Sequence, residues 1–324
     1  MMTGLLLLLA ALTLDDAPSR QHVLVVVGAE GTPEYGEKFR QWSTRWELAA
    51  EQAEASFATI GLDTIGDTDD RDSLQLMLKE AAAATTEEPM WLVLIGHGTF
   101  DSRTSRFNLR GPDVTATQLS AWTKPIQRPL VVINCASASG PFINALSGPN
   151  RVAVTSTKSG FQHNFSRFGD FMSAAISDSA ADLDKDEQTS VLEAFLYASA
   201  QVAEFYEQES RLATEHALLD DTGDALGTQA DWFRGVRAIR TAKDGATPDG
   251  LRANQLCLIR SDREKRLSPE VRTRRGALEL QIATLRTRKS QLPEDDYYQQ
   301  LELLFVELAQ LYATAESPDD THGS

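Results

Sequence analysis

The chain alternates short, unbroken apolar runs with longer stretches of helical periodicity. Residues 22–27 end in Val23, Leu24, Val25, Val26 and Val27, closed by Gly28. Similar runs recur at 91–95, 130–133, 152–155 and 255–259. Apolar runs without polar alternation are expected of strands covered on both faces, as in a parallel sheet. Between the first two runs, apolar residues fall at Phe39, Trp42, Trp46, Ala49, Ala53, Phe57 and Ile60. Those three- and four-residue steps predict one helix capped by Gly61. Residues 72–84 predict a second helix. Thr115 and Gln118 form a capping box that opens a third, through Trp122. Strands separated by helices predict an α/β fold: a mostly parallel sheet with helices on both faces.

The C-terminal part changes character. Ser268-Pro269-Glu270 is a helix start, with Ser as cap and Pro in the first turn. Val271, Leu278, Ile282 and Leu285 then share one face. Leu292-Pro293-Glu294 breaks that helix, and Tyr297, Leu301, Leu304, Leu308, Leu311 and Ala315 form a second face with heptad spacing. The expected organisation is an α/β domain over 21–262, an antiparallel helical hairpin over 263–316 and a disordered tail over 317–324. The hairpin either packs on the core or mediates self-association. At the other end, residues 4–14 are apolar and include five consecutive leucines, Leu5 to Leu9. That is too short for a membrane span but fits a signal-peptide core, so residues 1–20 are expected to direct export to the periplasm or the cell exterior.

Charge and cysteine content narrow the function. Of 324 residues, 47 are acidic and 31 are Lys or Arg, a formal charge of −16. A field of that sign repels phosphate backbones and anionic lipid, so nucleic acid is not an expected partner. Two cysteines, Cys135 and Cys257, are too few for a disulfide framework and lack metal-ligand spacing. The sequence contains no G-x-S-x-G, Walker or dinucleotide glycine motif, which removes the common serine hydrolases and nucleotide enzymes of this architecture.

Chemistry is expected where the parallel strands end. There the run 91–95 delivers Gly96-His97-Gly98, and the run 130–133 delivers Asn134-Cys135-Ala136-Ser137. A Cys–His pair is the minimum for nucleophilic catalysis, because imidazole favours the thiolate. Taken singly, each residue is ordinary: a Cys after an apolar strand is usually a small buried hydrophobe, and a loop His is usually solvated. Their parallel placement favours function. A reactive dyad would make Cys135 alkylate faster than Cys257.

The two segments Leu92-Val-Leu-Ile-Gly-His97-Gly98 and Leu130-Val-Val-Ile-Asn-Cys135-Ala-Ser-Ala-Ser139 resemble the catalytic signatures of the caspase-like (clan CD) cysteine peptidases. The small and hydroxyl residues after the Cys are most similar to the legumain, or haemoglobinase, group and its bacterial relatives. The resemblance extends loosely over residues 23–258 and is specific at the two motifs. It implies a caspase-like sheet and a peptide or protein substrate. It also implies His97 as general base or acid, Cys135 as nucleophile through a thioester acyl-enzyme, and the N–H groups of Gly98 and Cys135 as the oxyanion hole. It implies no metal or organic cofactor for the chemistry. Legumain-type enzymes that cut after Asn use a cation near the first loop; here that loop carries Glu30 and Glu34, with no Lys or Arg before Lys38. The residue before the Cys is Asn134, where legumain itself has an acidic one. A catalytically inactive binding or scaffold module of the same fold, calcium-stabilised and associating through the hairpin, is the alternative.

A second constellation is Asp182, Asp184, Asp186, Ser190 and Glu193, which occupy positions 1, 3, 5, 9 and 12 of an EF-hand-type loop. Hard cations take several converging oxygens, so a structural calcium site is expected there. Position 6, ordinarily Gly because the turn needs a positive φ, is Glu187. The simpler reading is an acidic helix start favoured by the helix dipole.

Overall fold

In the computed structural model, which describes residues 20–62, 69–240 and 248–316, the apolar runs form the middle of one six-stranded sheet. Strand β1 (His22–Val27) leads through helix α1 (Pro33–Gln52) to edge strand β2 (Ser56–Ile60). Helix α2 (Asp70–Ala83) then leads to β3 (Met90–Ile95). A small antiparallel sheet follows, made of β4 (Gly98–Phe100), β5 (Ser105–Phe107) and β6 (Val114–Thr115). Next come α3 (Ala116–Thr123), β7 (Leu130–Asn134), α4 (Pro141–Leu146) and β8 (Arg151–Thr155). Helices α5 (Phe168–Ala175) and α6 (Val191–Gln208) precede β9 (Leu218–Asp220). The strand order is β2-β1-β3-β7-β8-β9, parallel throughout except for β9.

Side-chain alternation sorts the core into two layers. Val23, Val25, Trp91, Val93, Val131 and Ile133 face α1, α5 and α6, whereas Leu24, Val26, Leu92, Leu94 and Val132 face α2, α3 and α4. Both faces of β1, β3 and β7 are therefore dry, as their unbroken apolar runs require. Buried Gln21 ties this sheet to the later chain: its Nε2 donates to the Leu258 carbonyl at 2.9 Å, and its Oε1 accepts from Trp91 Nε1 at 2.8 Å.

Two elements depart from the sequence reading. The helix expected to run on to Gly61 stops at Gln52, because Glu54 takes a φ of 54°. Residues 56–60 then extend as β2 alongside β1. Residues 255–259 are not a sheet strand. They contribute a bridge from Cys257 to Ser190, and the sheet edge is β9. The expected leader lies outside the described residues apart from Arg20, and so does the tail 317–324.

The C-terminal hairpin consists of α8 (Pro269–Thr287) and α9 (Glu294–Glu316), preceded by the short α7 (Asp262–Lys265). Ser268 caps α8 by accepting from Val271 N–H at 3.3 Å. Leu278, Ile282, Leu285 and Tyr297 are buried in the hairpin. Ionic contacts tie it to the sheet: the buried Glu88, just ahead of β3, pairs with Arg260 and, at 2.7 Å, with Arg272. Glu264 pairs with Arg275 at 2.6 Å. Removing the shared carboxylate strands two partly buried guanidinium groups, and breaking such a pair costs several kcal/mol. Glu88→Ala should therefore destabilise the chain by about 3 kcal/mol in urea unfolding, whereas Glu307→Ala, which breaks only an exposed ion pair with Arg274, should change it by less than about 1 kcal/mol.

Candidate active site

His97 and Cys135 leave neighbouring strands at the same edge. In the β3–β7 register Leu94 faces Asn134, so Cys135 lies beside Ile95, two residues before His97. Both continue the side-chain parity that points toward α1 and α5. They are linked through one aromatic wall. The His97 ring meets Tyr35 edge-on at 4.9 Å, Phe39 at 5.3 Å and Phe165 at 6.1 Å, and Trp42 touches Phe39 at 5.6 Å and Phe165 at 5.9 Å. Trp42 also reaches the thiol side. A Cβ at Gly169, in the first turn of α5, would stand 2.7 Å from the Trp42 ring and 2.8 Å from Cys135 Cβ. Only glycine lets α5 come that close.

The two side chains differ sharply in exposure and protonation. Cys135 is 1% exposed. Burial, reinforced by the nearby Glu215 carboxylate, pushes its thiol up to about 12. His97 is half-buried, and burial lowers its pKa, opposed by its contact with the Glu30 carbonyl at 3.3 Å. A carbonyl can only accept, so Nε2 carries the proton in neutral imidazole and Nδ1 is the basic nitrogen. Both shifts favour a neutral thiol beside a neutral imidazole over a thiolate–imidazolium pair.

The two amides expected from the sequence to form the oxyanion hole are both engaged in the structure. The Cys135 N–H donates to the Leu94 carbonyl at 2.9 Å, extending the sheet ladder by one bond. The Gly98 N–H donates to Ser137 Oγ at 3.2 Å, and the Ser137 hydroxyl donates back to the Gly98 carbonyl at 3.2 Å. In this conformation neither amide is open to a substrate oxygen. A hydroxyl can rotate away from Gly98, whereas freeing the Cys135 amide would break a sheet bond.

Glu215, Ser137, Trp42 and Phe165 complete the site and were not picked out from the sequence. Glu215 is 2% exposed and accepts from Ser166 Oγ at 2.6 Å and from the N–H groups of Arg167 at 2.9 Å and Phe168 at 3.1 Å. It thereby caps the start of α5 and pins the segment that carries Phe165 over His97. Burial raises its own pKa against those hydrogen bonds. Beyond Glu215 lies a cavity of about 570 Å³ lined by Phe168, Leu196, Val202, His216 and Phe233, with neither His97 nor Cys135 in its wall.

The acidic loop folds differently from a five-ligand cage. Oxygens of Asp182, Asp184 and Glu193 lie within 4.8 Å of one another. Glu193, however, is saturated: Oε1 accepts from the N–H groups of Leu183 and Asp184, and Oε2 from Ser190 N–H and Oγ. Ser190 is the N-cap of α6 and forms a capping box with Glu193. Asp186 turns to Gln188. Glu187 does adopt a positive φ of 70°, and Asp182 accepts from its N–H at 3.2 Å. The chain thus makes the turn with a side chain in place, and backbone amides take up much of the acidic charge.

No protein-family model matches this sequence, and no curated protein matches it. Among solved structures, the chain is similar to the Drosophila initiator caspase Dronc at 13% identity and a TM-score of 0.44, covering 63% of this chain and 80% of that one. It is also similar to caspase-1 from Spodoptera frugiperda at 8% identity and a TM-score of 0.42, covering 62% and 86%. Likenesses this distant carry no argument about activity.

Two measurements check the electrostatics. Iodoacetamide should alkylate Cys135 slowly in the folded chain, its rate climbing about tenfold per pH unit between about pH 7 and 10 without a plateau. A plateau near neutrality would show a preformed thiolate. At Asp184, burial and then Asp186, Glu193 and Asp182 push the carboxyl up to about 6 from 3.8. The folded state therefore favours the protonated acid. That stabilisation is complete below the unfolded value and is lost as pH rises through about 6. Asp184→Asn should accordingly raise the melting temperature near about pH 8 and leave it unchanged near about pH 4.

Proposed function

We propose that this chain is a cysteine peptidase of the caspase-like class, of the legumain-like kind, held closed in the conformation described. The observation that carries the reading is the shared exit of His97 and Cys135 from adjacent parallel strands, on one face and beneath one aromatic wall. Opening requires the thiol to be uncovered by displacement of Trp42 or of the first turn of α5. His97 Nδ1 then accepts the thiol proton, and sulfur attacks the scissile carbonyl carbon. The tetrahedral oxyanion collapses to a thioester and expels the amine, which takes its proton from His97. Water deprotonated by the same imidazole hydrolyses the thioester and restores the thiol. Rotation of Ser137 would free the Gly98 N–H for the oxyanion. A side chain at position 98 is barred, since its Cβ would stand 2.1 Å from the Ser137 carbonyl oxygen.

The second reading, a binding module without activity, draws on the burial of Cys135 and the engaged amide behind it. Leu303, Phe305 and Val306, exposed along α9, support self-association through the hairpin in either case. We also propose calcium as a structural ligand held by Asp184 and the remaining lone pair of Asp182, a weaker site than the five-ligand loop. Calcium against chelator in a melting experiment tests it. Among the described residues no helix is long and apolar enough to cross a membrane. Export remains part of the proposal, resting on residues 4–14.

The deciding experiment is hydrolysis of a mixed fluorogenic peptide library. The peptidase reading expects cleavage that Cys135→Ser abolishes and His97→Ala reduces by at least about 100-fold in kcat. A folded wild-type chain that cleaves no member would leave the binding module.

A further inference from the structure

At the end of the sheet opposite His97, one basic side chain is buried without a counter-charge. Arg128, in the loop before β7, is 9% exposed. Its Nε is fully buried and has no hydrogen-bond partner. Among the described residues no carboxylate pairs with it and no carbonyl from the last turn of α2 accepts from it. This stands out in a chain with 47 acidic residues. The guanidinium groups of Arg110, Arg260 and Arg275 all have carboxylate partners. A partly desolvated guanidinium cannot escape that cost by deprotonating in the accessible pH range, so an anion placed against its open Nη groups would relieve it.

Arg128 lines an open cleft of about 560 Å³ whose other charged or titratable lining groups are Arg20, His22 and Glu80. Arg20 comes from the chain entering β1, His22 from β1 itself, and Glu80 from α2. Ser56 of β2 orients the imidazole. Its hydroxyl donates to the Gln21 carbonyl at 3.3 Å, so its oxygen accepts from His22 Nδ1–H at 2.8 Å. In the neutral ring that leaves Nε2 bare, and protonation makes it a donor. Glu80 is the one carboxylate lining the cleft. It is exposed, where water and salt screen it.

We propose that this cleft is a binding site for a small phosphate-class oxyanion, free or carried on a small molecule, held by the Arg128 fork with His22 and Arg20. Guanidinium offers parallel N–H donors that match two oxygens of a phosphate group, and a desolvated guanidinium gains more from that match than an exposed one. The volume exceeds what an inorganic ion needs, leaving room for a small organic group attached to it. In the cleft His22 is held below its ordinary pKa, through burial first and Arg128 second. A bound dianion reverses the second influence, so binding and protonation of His22 must be linked: phosphate raises the His22 pKa, and acidification tightens phosphate binding. The site is independent of the peptidase reading, since it shares no residue with His97 or Cys135.

The test is an NMR titration of the histidine ring signals of the full chain in inorganic phosphate against chloride at matched ionic strength. The expected result is a saturable upward shift of the His22 titration by about one pH unit, with the His97, His163 and His216 midpoints unmoved. Arg128→Gln should abolish the shift. His22→Gln, which removes no charge from the neutral cleft, should keep a phosphate-dependent rise in melting temperature that Arg128→Gln lacks. Glycerol phosphate producing the same saturable shift would place the ligand on a small molecule, and phosphate alone doing so would place it as the free ion; both support the site. A His22 midpoint equally placed in phosphate and chloride would overturn the proposal. So would equal phosphate responses in wild type and a folded Arg128→Gln.

Discussion

Pairing of β3 with β7 in parallel, both strands dry on both faces, is the constraint on which the rest of the molecule depends. Neither strand has room for a polar side chain before its last residue, so polarity can enter only where the strands stop. The register then fixes what meets there. Because Leu94 faces Asn134, the residues that follow on the α1 side are Cys135 from one strand and His97, slightly further out, from the other. A one-residue slip of either strand would send His97 or Cys135 to the opposite face, toward α2 and α3. The aliphatic content that makes the sheet stable also makes that slip costly, so stability and juxtaposition of the pair have the same source.

The aromatic wall over the pair works in two directions. Tyr35, Phe39, Trp42 and Phe165 exclude water, which strengthens every electrostatic interaction inside but also penalises each charge that would form there. In the closed arrangement the penalty dominates: the thiol keeps its proton and the imidazole stays neutral. Glu215 adds negative charge on the same side, which opposes a thiolate further, while its main engagement is with the amides that begin α5. The residue that organises the covering segment is thus also one that keeps the sulfur quiet.

The strands carrying His97 and Cys135 were readable because each is a continuous apolar run, and their meeting at one sheet edge was readable because each follows such a run after a single Gly or Asn. What could not be read is equally physical. Strand β2 was hidden because Phe57 and Ile60 happen to continue the helical phase of α1, and only the backbone turn at Glu54 breaks it. Strand β9 was hidden because Leu218, Leu219 and Asp220 are too few to leave a pattern, whereas Leu256-Cys257-Leu258 owes its apolar character to packing beneath the core rather than to a place in the sheet. Trp42, Ser137, Phe165 and Glu215 carry no local signal: each acts through a contact with a residue distant in sequence. Ser137 comes nearest to an exception, since a hydroxyl two positions after the Cys is visible, though its exchange of hydrogen bonds with Gly98 is not.

The hairpin is fastened through Glu88, just ahead of β3, while His97 and Cys135 lie where β3 ends. The six residues of that strand alone span roughly 20 Å between the two features. Helix α9, with 23 residues, extends for roughly 35 Å. A surface that gripped α9 would engage the chain through its hairpin, at the end of β3 away from His97 and Cys135.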